Sequence, residues 1–434
     1  MKPAPYTHEA KLAWQHPLEA LRRCEGVRQC ALLYSGRSEA HTGRYSYLGV
    51  KAATISSGSL FKALPATPET DDSLPYWIGF LGYAMRHDTE HGFQTGERSP
   101  IYTPDFLFTH YENLWRFDHH EHCIDHYVSM GAQPFLLSES IEPIQASRAS
   151  IRELHSNFSR QEYEQAIAET IAQIETGAFY QANVTRKFWG ETIVALNPVE
   201  RFIALCTRSP APYSAFMRMG ESAILSSSPE CFLTVEKEGT VSVRPIKGSA
   251  KREENAEMDA ATIARLTNST KDLAENLMIV DLMRHDLARV CVPGSVRVTE
   301  HAQLYSYATI HHLVSTIQGL RAAEVSLPDI LRATFPAGSM TGAPKIAAIR
   351  WCEQQERLER GLYSGAIGWL GSNSTADFSV VIRTLLLQGT RFEFQVGGGI
   401  VADSTPTGEW SEALDKARAI ADILGISRGE LEAI

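Results

Sequence analysis

Two acidic residues one helical turn apart, followed by a lysine, stand at Glu409, Glu412 and Lys416 in TGEWSEALDKARAIADIL (407–424). On a helix the spacing i, i+3, i+7 projects all three from one face. Two such carboxylates can hold a divalent cation, and the lysine can meet an anionic substrate. A surface helix with an ordinary Glu412–Lys416 pair at i, i+4 would give the same pattern. Asp272 and Glu275 repeat the i, i+3 spacing in STKDLAENLMIVDLMRHDLARV (269–290). A hard cation such as Mg2+ takes carboxylate oxygens from a few separate elements and keeps positions open for water and substrate. One glutamate from each helix would serve.

Other residues could act on a substrate directly. Lys247, in RPIKGSAKR (244–252), follows a β-like run and precedes a Gly-Ser turn. As a nucleophile it must be neutral, so burial or nearby cations must lower its pKa from the reference of about 10.4; a turn lysine paired with surface acids is the plainer alternative. Glu230, at a strand entry in SSSPECFLTV (226–235), could exchange a proton if burial raises its pKa. FSVVIRTLLL (378–387) reads as a buried strand with one cation, Arg383, which needs an anion or an internal carboxylate. Pro344 in GAPKIAAIRW (342–351) sits at an expected first helical position, where free N–H groups can receive a carboxylate. His312 in ATIHHLVSTIQG (308–319) has a satisfied core histidine as its default.

The elements that must position these groups are irregular in order. The first 145 or so residues read as strands and turns, including ALLYSGR (31–37), YSYLGVKAATISSG (45–58) and PYWIGFLGYAM (75–85), the last apolar on both faces. The Ser-rich stretch 136–151 is the best boundary candidate. After it, Ser159 and Glu162 form a capping-box pattern, and Tyr163, Ile167, Ile171 and Ile174 line one helix face. Trp410, Ala413, Leu414, Ala417 and Ile420 give the 407–424 helix its apolar packing. Strand-rich blocks without a βαβ rhythm predict an α+β fold.

Several features exclude other functions. The formal charge of −10 over 434 residues argues against phosphate-backbone binding as the main task. There is no apolar run long enough to span a membrane and no export-signal pattern at the start, and the seven cysteines contain no Cys-x-x-Cys, so a cytoplasmic protein with reduced, mostly buried thiols is expected. His110, His119, His120, His122 and His126 crowd into HYENLWRFDHHEHCIDHYV (110–128), but apolar positions flank DHHEH, so the segment reads as a solvated hairpin turn rather than as a metal site. AGSMTGAPK (337–345) lacks phosphate-loop spacing, VGGGIV (396–401) is a glycine run after a strand, and no cysteine lies in a glutaminase-type elbow.

Taken together, GAFYQANVTR, SSSPECFL, RPIKGSAKR, DLAENLMIVDLMRHDLARV, HHLVS, FPAGSMTGAPK, RGLYSGAIGWL, FSVVIRT, GGGIVADS and EWSEALDK occur in an order that resembles the chorismate-utilising enzymes. The resemblance is strongest from about 160 to 425. It implies two packed antiparallel sheets flanked by helices (an anthranilate synthase-like chorismate-binding fold), with a strand-rich region over 1–145 and a chorismate-binding catalytic region over 150–434. Isochorismate and salicylate synthases carry a water-activating lysine where this chain has Gln181, so the resemblance implies the ammonia-using branch. Lys247 stands in Pro-Ile-Lys-Gly where anthranilate synthases have Pro-Ile-Ala-Gly, and this resembles the aminodeoxychorismate synthase component I branch.

The resemblance also implies roles. Glu275 and Glu412 would ligate Mg2+, with Asp272 and Glu409 beside them. Tyr363, Arg383, the backbone near Gly397 and Lys416 would hold two substrate carboxylates, with Ser339, Gln181, Gly248, Ser249 and His312 completing the substrate-facing set. Lys247 would attack the ring and Glu230 would deliver a proton, giving 4-amino-4-deoxychorismate on the para-aminobenzoate route to folate. Ser35, Arg44, Tyr45, Pro212, Tyr213 and Ser214 resemble the lining of a tryptophan pocket. Ammonia would come from a separate glutamine amidotransferase subunit, and a separate lyase would release pyruvate. The alternative is anthranilate synthase component I, to which His312 also fits. Arg284-His285-Asp286 and Gly82-Tyr83-Ala84 depart from the family's usual Arg-Asn-Asp and Gly-Tyr-Asp.

Overall fold

The long strand Phe106–Asp118 joins two wings of antiparallel sheet in the computed structural model, which describes residues 2–36, 43–70, 72–137, 149–307 and 310–434. Along one edge it pairs throughout with Tyr45–Gly58. Along the other, its start pairs with Pro75–Leu81 and its end with Cys123–Ser129. From Tyr45–Gly58 the first wing runs through Gln29–Tyr34, Tyr213–Met219, Ser222–Ser228, Thr384–Gln388 and Arg391–Ile400 to Gln181–Thr192. From Pro75–Leu81 the second runs through Ala366–Gly371, Ala376–Val380, Cys231–Val235 and Thr240–Arg244 to Ile310–Leu320. Strands from the first 137 residues thus share both wings with later ones.

Two apolar cores fill this frame. One gathers Trp77, Phe80, Phe106, Phe108 and Phe378 and receives Ile279, Val280 and Met283 from the helix Thr270–Ala288. The other gathers Trp115, Phe117, Phe188 and Phe394 and receives Trp410, Leu414 and Ile420 from the helix Pro406–Leu424. The two acidic helices are therefore anchored independently. The predicted capping box opens the helix Arg160–Glu175, with Ser159 accepting from the Glu162 amide and Glu162 reaching back to the Ser159 N–H.

Three sequence expectations change in detail. The stretch 378–387 is two strands, because Val381–Arg383 leaves the ladder and Arg383 takes a φ of 50°. Pro344 caps the helix Lys345–Glu356 from one residue outside it. His119, His120 and His122 do occupy the hairpin turn, but His110 and His126 are buried; His110 meets the Tyr76 carbonyl and His126 meets Asn113 Oδ1. Residues 138–148 of the boundary candidate, Arg37 of ALLYSGR, and Ala308 and Thr309 lie outside the described residues.

Candidate active site

Lys247 owes its direction to a break in the sheet. In the strand Ile246–Lys251, Ile246 pairs with Val314 and Ser249 with His312, and the register slips between them. Gly248 occupies that slip at a φ of +85°, a conformation that favours glycine. A Cβ there would also fall 3.1 Å from Asp272 Cβ. The bulge swings Lys247 out of regular alternation into the space between the acidic helices.

Gly398 and Gly399 make room for what collects there. A Cβ on Gly399 would lie 2.6 Å from Gln181 Nε2 and 2.9 Å from Lys247 Nζ, so amide and amine share one spot over bare backbone. Gln181 is wholly buried, and neither end of its amide has a hydrogen-bond partner among the described residues. A Cβ on Gly398 would meet Glu409 Oε2 at 2.6 Å, with Glu412 beyond it. These two glycines leave the room in which the candidate site assembles, and sequence reasoning passed over them individually; three consecutive glycines inside a strand were the available signal.

Electrostatics bind the rest into one site. Lys247 is half-buried, and burial pushes its amine below the ordinary range; Glu275 pulls it back up and Lys416 pushes it further down. Its Nζ has no hydrogen-bond or ion-pair partner among the described residues. Glu230 is buried beside it, and burial raises its carboxyl to about 7 against opposing pulls from Ser339 and Lys247. Glu230 Oε1 and Ser339 Oγ both lack hydrogen-bond partners among the described residues. Buried polar atoms are seldom left unpaired, so these mark where a polar ligand belongs.

The carboxylates divide in character. Burial raises Glu275 and Glu409, with neighbouring carboxylates adding to the effect, while Lys416 holds Glu412 low. Lys416 Nζ lies 2.7 Å from Glu412 and donates to the Gly397 carbonyl at 2.8 Å, so the i, i+4 pair is present and also faces the site. Ser404 Oγ donates to Glu409 at 2.7 Å, and Asp272 lies against Gly248. Among the described residues no three His, Cys, Asp or Glu side chains converge as a preformed metal centre.

Arg383 and Tyr363 join the site through Glu230. The Arg383 guanidinium is desolvated, feels Glu230, and has no hydrogen-bond partner among the described residues. Tyr363 is buried, which raises its hydroxyl pKa, and it too feels Glu230. His312 Nδ1 lies 2.6 Å from Ser249 Oγ, which fixes the ring. Away from this cleft, Ser35, Arg44, Tyr45, Pro212, Tyr213 and Ser214 all line one cavity of about 680 Å3. Its wall also carries Arg244 and Asp377; burial raises Asp377 to about 6, and its Oδ1 has no partner.

The chain matches the family model for chorismate binding enzymes over residues 24–422. It is 36% identical to an aminodeoxychorismate synthase component 1 from Klebsiella aerogenes, over 81% of this chain and 78% of that one. It is also 36% identical to an anthranilate synthase component 1 from Pseudomonas aeruginosa, over 67% of this chain and 58% of that one. Among solved structures it is similar to anthranilate synthase component I from Streptococcus pneumoniae, with a TM-score of 0.76 at 28% identity over 88% of this chain and 93% of that one. An antiparallel frame built around two acidic helices and the match along nearly the whole length agree: the chain belongs to the chorismate binding enzyme family.

Proposed function

We propose that this protein replaces the C4 hydroxyl of chorismate by an amine, using ammonia and Lys247 as a covalent nucleophile, to give 4-amino-4-deoxychorismate for para-aminobenzoate synthesis. One observation carries this reading: a desolvated lysine amine without a partner stands beside a buried carboxyl raised to about 7. A depressed amine is a nucleophile and a raised carboxyl is a proton donor at neutral pH.

The neutral Lys247 nitrogen bonds to ring C2 as the double bonds shift and the C4–O bond breaks. Glu230 gives its proton to the departing hydroxyl, which leaves as water. Ammonia then bonds to C4, the double bonds shift back and the C2–N bond breaks, so Lys247 departs as a neutral amine. The new C4 ammonium returns a proton to Glu230. The sum is chorismate plus ammonia giving the amine plus water.

Arg383 and Tyr363 would hold one substrate carboxylate, and Lys416 with the backbone near Gly397 the other. Gln181, Gly248, Ser249, His312 and Ser339 would line the ring. The hard oxygen donors suit Mg2+: Glu275 and Glu412 would ligate it, with Asp272 and Glu409 alongside, and the raised carboxyls of Glu275 and Glu409 are groups that a cation would relieve. Mg2+ supplies neutralisation of a substrate carboxylate. Ammonia would come from a glutamine amidotransferase subunit, as the name component 1 of the Klebsiella relative fits. Seven free cysteines fit a reducing cytoplasm. The separate cavity, with arginines and the buried Asp377 carboxyl in its wall, suits tryptophan; calorimetric titration with L-tryptophan tests this.

Incubation with chorismate, Mg2+ and ammonium salt should yield the amino product, and mass spectrometry of the quenched enzyme should find an adduct on Lys247. Unchanged chorismate would overturn the reading. Blue anthranilate fluorescence without added lyase would favour anthranilate synthase instead.

A further inference from the structure

Arg383 and His312, both assigned to the candidate active site, also line a smaller cavity of about 130 Å3. Its outer wall carries Arg208 and Lys251, and its described lining includes no Asp or Glu. Ser227 ties the two sides together: its N–H donates to the Arg383 carbonyl at 3.1 Å, and its hydroxyl donates to the Ser209 carbonyl, next to Arg208. Three cations therefore face one small volume on a chain whose formal charge is −10. Arg208 is the least free, because its Nη1 lies 3.3 Å from Asp422 on the exposed side. Lys251 is exposed and has no ion-pair partner among the described residues, and the Arg383 guanidinium has no hydrogen-bond partner among them.

A dianion approaching an acidic protein is repelled at long range. A mouth lined by one sign of charge reverses that locally and raises the rate of encounter. We propose that this cavity is the entry port for the dicarboxylate substrate, where Lys251 and Arg208 receive a carboxylate and pass it inward to Arg383. The inference rests on the proposed function for the identity of the dianion. It assigns to Lys251 and Arg208 a positioning role that the reaction chemistry does not require.

The test is the association rate of chorismate, followed by stopped-flow protein fluorescence in the presence of Mg2+, alongside steady-state amination at fixed ammonium and increasing sodium chloride. For Lys251→Gln/Arg208→Gln, association and kcat/KM should fall about fivefold at low salt, with kcat retained, and their salt dependence should flatten. Lys251→Glu should fall further. Lys11→Gln, which removes a cation outside the cavity, should keep the wild-type slope. An unchanged association rate and slope in the double variant would overturn the port, as would a loss of kcat at unchanged KM. Wild-type protein that binds chorismate without aminating it would defeat the proposed function and leave the port judged by association alone; absence of chorismate binding would defeat both.

Discussion

Lys187 and Lys247 are both buried enough for desolvation to lower their pKa, yet their surroundings are opposite. Lys187 is 1% exposed and fully answered: it lies 3.1 Å from Glu393, donates to the Glu359 carbonyl at 2.9 Å and also bonds to Ser99 Oγ. Lys247 lies in a cleft among Glu275, Glu230, Glu412 and Lys416 and bonds to none of them. Burial alone therefore does not make an amine reactive. A partnered charge stays charged and holds structure; an unpartnered one beside another cation can be neutral and attack. The carboxylates repeat the contrast. Glu393 accepts from Lys187, Ser99 Oγ and the Ile101 amide, whereas Glu230 Oε1 accepts from nothing.

The sharpest way to break the comparison is to exchange the effects. Lys247→Ala should reduce amination on the order of a thousandfold or more, or divert product toward anthranilate, at nearly unchanged melting temperature. A near-normal rate would reject the covalent route. Lys187→Met should do the reverse, costing about 3–5 kcal/mol of stability by stranding Glu393, while folded protein keeps its turnover. Chemical denaturation and active-site-normalised rates check this pair together.

Glu230→Gln should slow amination about a hundredfold or more. The same variant should also be more stable than wild type above neutral pH. The folded carboxyl is raised from 4.5 to about 7, so its stability contribution is present below 4.5 and is lost as pH rises through 7. Removing the titration should recover about 3 kcal/mol at pH 8 and little at pH 4. For the wild type at fixed free ammonia, adduct formation should fall above pH 7, where Glu230 loses the proton it must donate, and fall again at low pH as Lys247 protonates; a flat profile from pH 6 to 8 would remove Glu230 from the reaction. The smallest expected change is Gly399→Ala: its Cβ would press on two flexible side-chain tips, displacing Lys247 and Gln181 for a loss in kcat of up to about a hundredfold with little change in melting.

Much of this was legible in the chain. The spacing of Glu409, Glu412 and Lys416 and the apolar residues between them determined that helix and its acidic face, because a 3.6-residue period turns sequence separation into direction. The capping box at Ser159 and the strand at Tyr45–Gly58 were local matters and were readable as such. Arg383 was readable as a cation needing an anion, but its place in a break between two strands was not, since a left-handed residue ends a ladder for reasons no apolar run reveals. Likewise the sequence pointed to Lys247 as a candidate nucleophile but could not tell whether it had a partner, and nothing in it marked Lys187 as the lysine that did. Charge state in a folded protein depends on groups far apart in the chain, here Glu393 for one lysine and Glu275 and Lys416 for the other. Period and capping signals set local elements such as the helix Pro406–Leu424; only the meeting of two cores, with a bulge at Gly248 and bare backbone at Gly398 and Gly399, decided which amine was left without a partner among the described residues.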